Sequence, residues 1–321
     1  MNVYGKYDQE ALDIQYSPSS KVDDIKPFLT EYAVRSRRTR EELAVRRGIP
    51  YGPEACETLD FFPADGPDAP LLVFVHGGYW QELSKDDSAF PAPGAVAAGA
   101  AFAALGYGLA PHYSLEQIVG QARRGLAWLV RHADDLGVDR RRIHLAGHCA
   151  GAHLVLSALL DDWRPDGRHP ADVFAGAVLI SGVYDLEPLR LTYVNEPLGL
   201  TEVTARRLSP LYHLPDRLPP LVVARGGAET DEFCRQHGEA VEALGRRSPG
   251  IHDLVVHHRN HFDITFDLTD PATALGASVL RPLRAAAPDT GTAGTAGPAE
   301  PAGPAGPAGP AEPAGSARTT T

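Results

Sequence analysis

A cysteine, a carboxylate and a histidine follow one another along the chain in the order that acyl-transfer chemistry requires. Cys149 is the centre of a Gly-His-Cys-Ala-Gly stretch at residues 147–151. This is the pattern of a nucleophile elbow, with cysteine where serine is usual. The turn from strand to helix leaves no room for a Cβ atom two residues before or after the nucleophile, and Gly147 and Gly151 meet that need. A helix starting here favours the thiolate form, so a reactive Cys149 is predicted; the alternative is a buried, inert cysteine.

The carboxylate of such a triad is expected after a later strand. Three acidic residues, Glu229, Asp231 and Glu232, follow an apolar run at residues 221–224. Asp231 and Glu232 suit the first turn of the next helix, where negative charge is favourable. Glu229 is closest to the strand end and is therefore the predicted catalytic acid, the alternative being a loop that only caps the helix.

The general base is expected on the loop after the last strand. His257 and His258 fall on that strand, whereas His261 falls beyond it, so His261 is the predicted base. His257 and His261 have the spacing of zinc ligands on a helix, but no helix is predicted there. Neither a metal nor a cofactor is therefore expected.

A glycine pair after an early strand is predicted to stabilise the negative charge that develops on the substrate oxygen. Residues 76–80, His-Gly-Gly-Tyr-Trp, follow the apolar run at residues 71–75. The N–H groups of Gly77 and Gly78, together with that of Ala150, are predicted to form an oxyanion hole. The side chains predicted to line the substrate pocket are His76, Tyr79, Trp80 and His148.

Apolar runs that alternate with helical periodicity predict the scaffold behind these residues. Such an alternation predicts βαβ units and a mostly parallel sheet flanked by helices, which is an α/β fold. The predicted strands lie at residues 57–62, 71–75, 100–105, 175–181, 221–224 and 251–257, and the predicted helices at 115–130, 231–244 and 271–284. In the stretch at residues 143–154, a short buried strand is predicted before the Gly-His-Cys-Ala-Gly turn and an apolar helix after it.

The chain of 321 residues is predicted to hold one catalytic domain at residues 51–285. Residues 1–50 are predicted as an N-terminal helical segment of that domain, with the arginine-rich stretch at 35–47 on a solvated face. The proline-containing residues 186–219 are predicted as a cap-like insertion over the carboxyl edge of the sheet. Residues 286–321 are rich in glycine, proline and alanine and are predicted to be a disordered tail.

Composition narrows the class of partner. The formal net charge of −11 argues against nucleic acid and anionic membranes, and no stretch has the length of a membrane span. The first ten residues lack an apolar signal core, and the three cysteines form no CxxC motif. A cytoplasmic enzyme acting on a small-molecule substrate is expected, and a homodimer stays open.

Several motifs together carry a resemblance to a known family. They lie at residues 16–20, 76–80, 107–111, 147–153, 181–186, 229–236 and 261–264. Over roughly residues 10–280, the chain resembles the α/β-hydrolases, and among them the kynurenine formamidase (arylformamidase) and esterase group. The resemblance implies a triad of Cys149, Glu229 and His261, and hydrolysis of an N-formyl aryl amine or a small ester through an acyl-enzyme.

Cys149 is a departure, because members of that group carry serine at this position. Three interpretations stay open: a cysteine hydrolase with a thioester intermediate, as in the dienelactone hydrolase branch of the fold; an acyl transferase or tailoring enzyme; and a non-catalytic binding protein. Glu229, His261 and the glycine pair favour the hydrolase, because a binding scaffold has no chemical need for all of them.

Overall fold

A twisted sheet forms the centre of the computed structural model, which describes residues 1–160 and 163–284. Within these residues the sheet has eight strands in the order β1-β2-β4-β3-β5-β6-β7-β8. β1 and β2 are antiparallel to their neighbours, and β3 to β8 are all parallel. The strands are β1 (Arg46–Pro50), β2 (Thr58–Phe62), β3 (Ala69–Val75), β4 (Ala101–Leu105), β5 (Val138–His148), β6 (Phe174–Ile180), β7 (Leu221–Ala228) and β8 (Ile251–Asn260).

Helices cover both faces of this sheet, which confirms the predicted α/β-hydrolase architecture. They are α1 (Gln9–Gln15), α2 (Lys26–Glu42), α3 (Ala92–Ala97), α4 (Leu115–Arg131), α5 (Ala150–Ser157), α6 (Pro170–Val173), α7 (Glu202–Leu208), α8 (Asp231–Gly245) and α9 (Ala274–Leu283). Apolar residues of α4, α5 and α8 pack on one face, and those of α3 and α9 pack on the other.

The central strand β3 shows why a continuous apolar run is needed. Its alternate side chains point to opposite faces. Leu71 and Val73 enter the core beneath α4 and α5, whereas Leu72 and Phe74 enter the core beneath α3 and α9. All of β3 is buried, so the glycine loop after Val75 begins at a tightly packed strand.

The first 50 residues differ from the helical segment that the sequence predicts. Residues 46–50 form the edge strand β1. Arg40 does not lie on a solvated face either, because its guanidinium is buried and donates to the Asp60 carboxylate at 2.8 Å. Burial raises the Asp60 pKa, but hydrogen bonds from Gly48, Lys85 and Arg40 outweigh it and lower the pKa below 3.8. This buried ion pair fixes α2 against β2.

Residues 186–219 connect β6 to β7 through short 3-10 turns and α7. The tail predicted at residues 286–321 lies outside the described residues. None of the helices in residues 1–160 and 163–284 is long and apolar enough to span a membrane.

Candidate active site

Cys149 lies at a sharp turn between β5 and α5. Its backbone has φ +53° and ψ −117°, a left-handed conformation that costs energy for a residue with a Cβ. A Cβ on Gly147 would lie 2.3 Å from the carbonyl oxygen of Gly151, and one on Gly151 would lie 2.0 Å from that of Val75. The strand and helix therefore approach each other closely only because both positions are glycine.

The three residues predicted as a triad lie together at the carboxyl edge of the sheet. The Glu229 carboxylate (Oε2) accepts a hydrogen bond of 3.1 Å from Nδ1 of His261. The Cys149 side chain lies beside the same imidazole and interacts with it electrostatically. Cys149, Glu229 and His261 are all buried, so their mutual interactions are only weakly screened by water.

A serine that the sequence reasoning missed holds the acid in place. Oε1 of Glu229 accepts hydrogen bonds from the Ser181 hydroxyl at 2.6 Å and from the Gly226 N–H at 2.7 Å. Ser181 directly follows β6, so its place at the carboxyl edge of a predicted strand was the available signal. Both carboxylate oxygens are thereby occupied, which orients Glu229 toward the imidazole.

Charge balance in the buried triad favours an ion pair. Burial lowers the pKa of His261, but the negative charges of the Cys149 thiolate and of Glu229 raise it to about 10. For Glu229, burial raises the pKa, and His261, Ser181 and Gly226 together bring it below 4.5. The Glu229 carboxylate therefore stabilises the charged form of the His261 imidazole, which lies beside Cys149.

The predicted oxyanion loop lies beside Cys149. A Cβ on Gly77 would lie 3.1 Å from Cβ of Cys149, which places that glycine against the elbow. Gly78 has φ +91°, and a Cβ there would clash with the carbonyl oxygen of Glu82 at 2.3 Å. Ala150 is the first residue of α5, and its N–H therefore has no acceptor within the helix.

A cavity of about 230 Å³ opens next to Cys149 and His261. Of the predicted pocket residues, Tyr79 and His148 line it. Burial and the charge of His261 lower the His148 pKa well below 6.5, so this imidazole is neutral. The Nε2–H of His148 donates a hydrogen bond of 2.8 Å to the His261 carbonyl oxygen. This bond holds the loop that carries His261 in place.

His76 and Trp80, also predicted as pocket residues, do not line the cavity. The His76 ring is buried and stacks on Tyr107 with a centroid distance of 4.1 Å. Trp80 is fully buried, with its ring edge against His153 at 5.0 Å. Trp80 has a left-handed backbone with φ +60°, and its side chain lies in the core beneath the loop.

Much of the cavity wall comes from the N-terminal segment, which sequence reasoning did not connect with the site. Its residues there are Pro18, Ser19, Ile25, Leu29 and Tyr32. From the insertion at residues 186–219, only Tyr193 and Val194 reach the wall. No local pattern in the sequence indicates that the helices preceding the first strand reach the cavity beside Cys149 and His261.

The remaining candidates occupy other positions. Asp231 is on the first turn of α8. Glu232 accepts hydrogen bonds from the Tyr16 hydroxyl and from Arg235, so its carboxylate is occupied by structural contacts. His257 and His258 are exposed on β8. Within the described ranges, no group of three histidine, cysteine or acidic side chains could hold a metal ion.

Comparison with known proteins identifies the class. A family described as having the alpha/beta hydrolase fold matches residues 72–230. The chain is 34% identical to a kynurenine formamidase of Danio rerio over 84% of this chain and 94% of the relative. It is 28% identical to esterase LipC of Mycobacterium tuberculosis over 65% of this chain and 58% of the relative.

A crystal structure of a proposed thioesterase from Silicibacter sp. superposes with a TM-score of 0.73 at 30% identity, covering 84% of this chain and 98% of that protein. The chain therefore belongs to the α/β-hydrolase family, in the group that contains kynurenine formamidases and esterases. Within this family it is a hydrolase that acts on amide or ester bonds.

Proposed function

We propose that the protein hydrolyses an N-formyl aryl amine or an aryl ester through a thioester on Cys149. The observation that carries this proposal is the buried chain of contacts from Glu229 to His261 to Cys149, beside a cavity. A non-catalytic scaffold has no need for an ion pair at this place, because buried charges are costly to maintain. The relatives named as formamidases and as an esterase support the bond class.

In the first half of the reaction, the Cys149 thiolate attacks the carbonyl carbon of the substrate. The carbonyl oxygen takes up negative charge, and the N–H groups of Gly77, Gly78 and Ala150 are available to stabilise it. The tetrahedral intermediate collapses as the bond to the leaving nitrogen or oxygen breaks. The His261 imidazolium gives its proton to that leaving atom, and the acyl group stays on sulfur as a thioester.

In the second half, water attacks the thioester carbon. His261, now neutral, takes a proton from this water, which leaves a carboxylic acid and restores the thiolate–imidazolium pair. Glu229 keeps Nδ1 of His261 occupied in both halves, so Nε2 carries the proton that moves. Bonds and protons balance with water as the only co-substrate.

The cavity suits a small aromatic leaving group. Its apolar wall near the nucleophile includes Leu29, Val194 and Phe262, and its volume of about 230 Å³ is that of a small molecule. A formyl or short acyl group needs little space on the side of the glycine loop.

The test combines kinetics with trapping of the intermediate. Purified protein is assayed with N-formylkynurenine, formanilide and 4-nitrophenyl acetate, and Cys149→Ala is compared with Cys234→Ala. We expect Cys149→Ala to lose about 10³-fold or more of kcat/KM, and Cys234→Ala to stay within a few fold. Mass spectrometry of rapidly quenched protein should detect an acyl adduct on the peptide that contains Cys149, and hydroxylamine should remove it.

Two results would overturn the proposal. Equal activity of Cys149→Ala and the parent protein would exclude Cys149 as the nucleophile. An acyl adduct that resists water but passes to an added amine or thiol would identify an acyl transferase instead.

A further inference from the structure

Among the described residues that line the cavity, negatively charged side chains are not matched by basic ones. None of the described residues that line it is a lysine or an arginine, whereas Glu82 does line it. Lys21 and Lys26 flank the N-terminal wall in the sequence but are not part of the lining. The cavity therefore has no fixed cation to receive a negatively charged substrate group.

The buried groups behind the cavity do not reverse this balance. The His261 imidazolium is balanced by the Glu229 carboxylate, which accepts a hydrogen bond from its Nδ1. His148 is neutral. The negative charge of Glu82 is therefore not offset within the described lining, and the net charge of −11 over the whole chain has the same sign.

Aromatic rings are the other feature of the lining. Tyr32, Tyr79, Tyr193 and Phe262 all line the cavity. The face of an aromatic ring carries partial negative charge and attracts cations, including quaternary ammonium groups that carboxylates bind only loosely. Rings and a carboxylate without opposing basic residues form a site suited to an ammonium group.

We propose that this site selects leaving groups that carry a positive charge over those that carry a negative charge, with Glu82 as a specificity-determining residue. This inference rests on the proposed hydrolase function. The substrate class is then an aryl amide or ester whose aromatic ring bears an ammonium group. A leaving group that bears a carboxylate without an ammonium group is disfavoured, because no cation of the described lining would compensate for its desolvation.

A matched series of three formanilides tests the inference. Their para substituents are trimethylammoniomethyl, the neutral isostere neopentyl, and carboxymethyl; the methylene group limits electronic effects on the leaving nitrogen. Each kcat/KM is divided by the hydroxide-catalysed rate of the same compound. We expect the cation to exceed the neutral isostere by about 3–10-fold, and the anion to fall at least about 10-fold below it.

Two variants and a change in salt concentration test whether Glu82 causes the preference for a cationic leaving group. Glu82→Gln should reduce the ratio of cation to neutral isostere toward one, whereas Glu202→Gln, an exposed residue of α7, should leave this ratio unchanged. Raising sodium chloride from about 0.05 to about 0.5 M should also reduce it, because Coulomb attraction is screened. A ratio that favours the anion, or one that Glu82→Gln does not change, would overturn the proposal.

A binding assay separates failure of this inference from failure of the proposed function. If none of the formanilides is hydrolysed, the proposed function fails, and the charge preference is read from protection of Cys149 against iodoacetamide. Benzyltrimethylammonium should protect at lower concentration than phenylacetate. Equal or stronger protection by phenylacetate would contradict the inference whether or not hydrolysis occurs.

Discussion

The Tyr79 hydroxyl donates a hydrogen bond of 2.8 Å to the backbone carbonyl of Tyr16. Tyr79 belongs to the glycine loop beside Cys149, and Tyr16 joins α1 to the turn that begins the cavity wall. The Tyr16 hydroxyl in turn donates a hydrogen bond of 3.1 Å to Glu232, which is in the first turn of α8, three residues after Glu229. The N-terminal segment thus connects the glycine loop to the segment that carries Glu229.

Tyr79→Phe should lower kcat while leaving the fold intact. The variant removes one hydrogen bond from a loop held in a left-handed backbone, with Tyr79 at φ +48°. One such bond contributes about 0.5–1.5 kcal/mol, so we expect a 2–10-fold loss in kcat with little change in KM. Steady-state kinetics measures this, with Tyr113→Phe, whose hydroxyl bonds to Glu54, as the control. A loss only in melting temperature would mean that the bond has no part in positioning the loop.

His261→Ala should nearly abolish turnover. The imidazole accepts the charge of both neighbours: it donates a hydrogen bond to Glu229 and interacts with Cys149. Loss of a general acid–base group costs about 10²–10⁴-fold, measured as kcat/KM on a 4-nitrophenyl ester. The exposed neighbours His257→Ala and His258→Ala are the controls, and activity within a few fold of the parent protein in His261→Ala would transfer the role to one of them.

Ser181→Ala should move the acid side of the pH–activity profile to higher pH. The hydroxyl donates to Glu229 and is one of the groups that lower its pKa. Without this donor the Glu229 pKa rises, the carboxylate is protonated at higher pH, and the imidazolium loses its partner there. We expect a shift of about one pH unit, since one unit corresponds to about 1.4 kcal/mol.

The control for that profile is Ser36→Ala, which removes another buried hydroxyl, one that accepts from the N–H groups of Ala89 and Phe90. This variant should lose stability without a shift of the profile. If the acid side of the pH–activity profile is unchanged in Ser181→Ala, Gly226 and His261 alone determine the ionisation of Glu229.

Iodoacetamide should label Cys149 before Cys56 and Cys234. Cys149 is the least accessible of the three, with 3% of its surface exposed, but it faces the cavity and pairs with His261. Burial raises the pKa of Cys234, which slows its reaction. Peptide mapping at partial labelling, with residual activity measured in parallel, gives the order. His261→Ala should slow labelling of Cys149, and full activity after Cys149 is blocked would remove it from the mechanism.

Gly151→Ala should destabilise the protein strongly. The added methyl group would meet the backbone of Val75 at 2.0 Å, and backbone cannot move aside as a flexible side chain can. We expect a loss of about 1–3 kcal/mol in the free energy of unfolding, or no soluble protein. Gly238→Ala is the matched control: it lies in α8 with no atom within 4 Å of the new Cβ and should gain up to about 1 kcal/mol. Equal stability of both variants in urea titration would contradict the tight elbow.

Local pattern was sufficient to predict β2 to β8 and to place Cys149, Glu229 and His261 after strand ends. A fully buried strand such as β3 must be a continuous apolar run, and each triad residue follows directly from a strand end. The direction in which a loop side chain points could not be predicted in this way. Trp80 and His76 were expected at the pocket. Trp80 instead has a positive φ, which its residue type does not indicate, and its side chain is buried, whereas the His76 ring is buried against Tyr107.

Contacts between distant parts of the chain were beyond such reasoning. Arg40 has the appearance of a solvated helix residue, and only the fold brings it to the buried Asp60, 20 positions further on. The Tyr16 motif is 216 positions away from Glu232, its hydrogen-bond partner. Residues 46–50 carry arginine, glycine and proline, and they form a strand because the edge of the sheet supplies the pairing.

The separation in sequence between the cavity wall and the sheet has a practical meaning for engineering. Pro18, Ile25, Leu29 and Tyr32 precede β1, whereas all three triad residues come after it. Chimeras that exchange residues 9–42 between relatives would therefore change which molecules enter while retaining one catalytic centre. The buried Arg40–Asp60 pair marks the graft point, and a donor segment that lacks an arginine there would leave the Asp60 carboxylate without this partner.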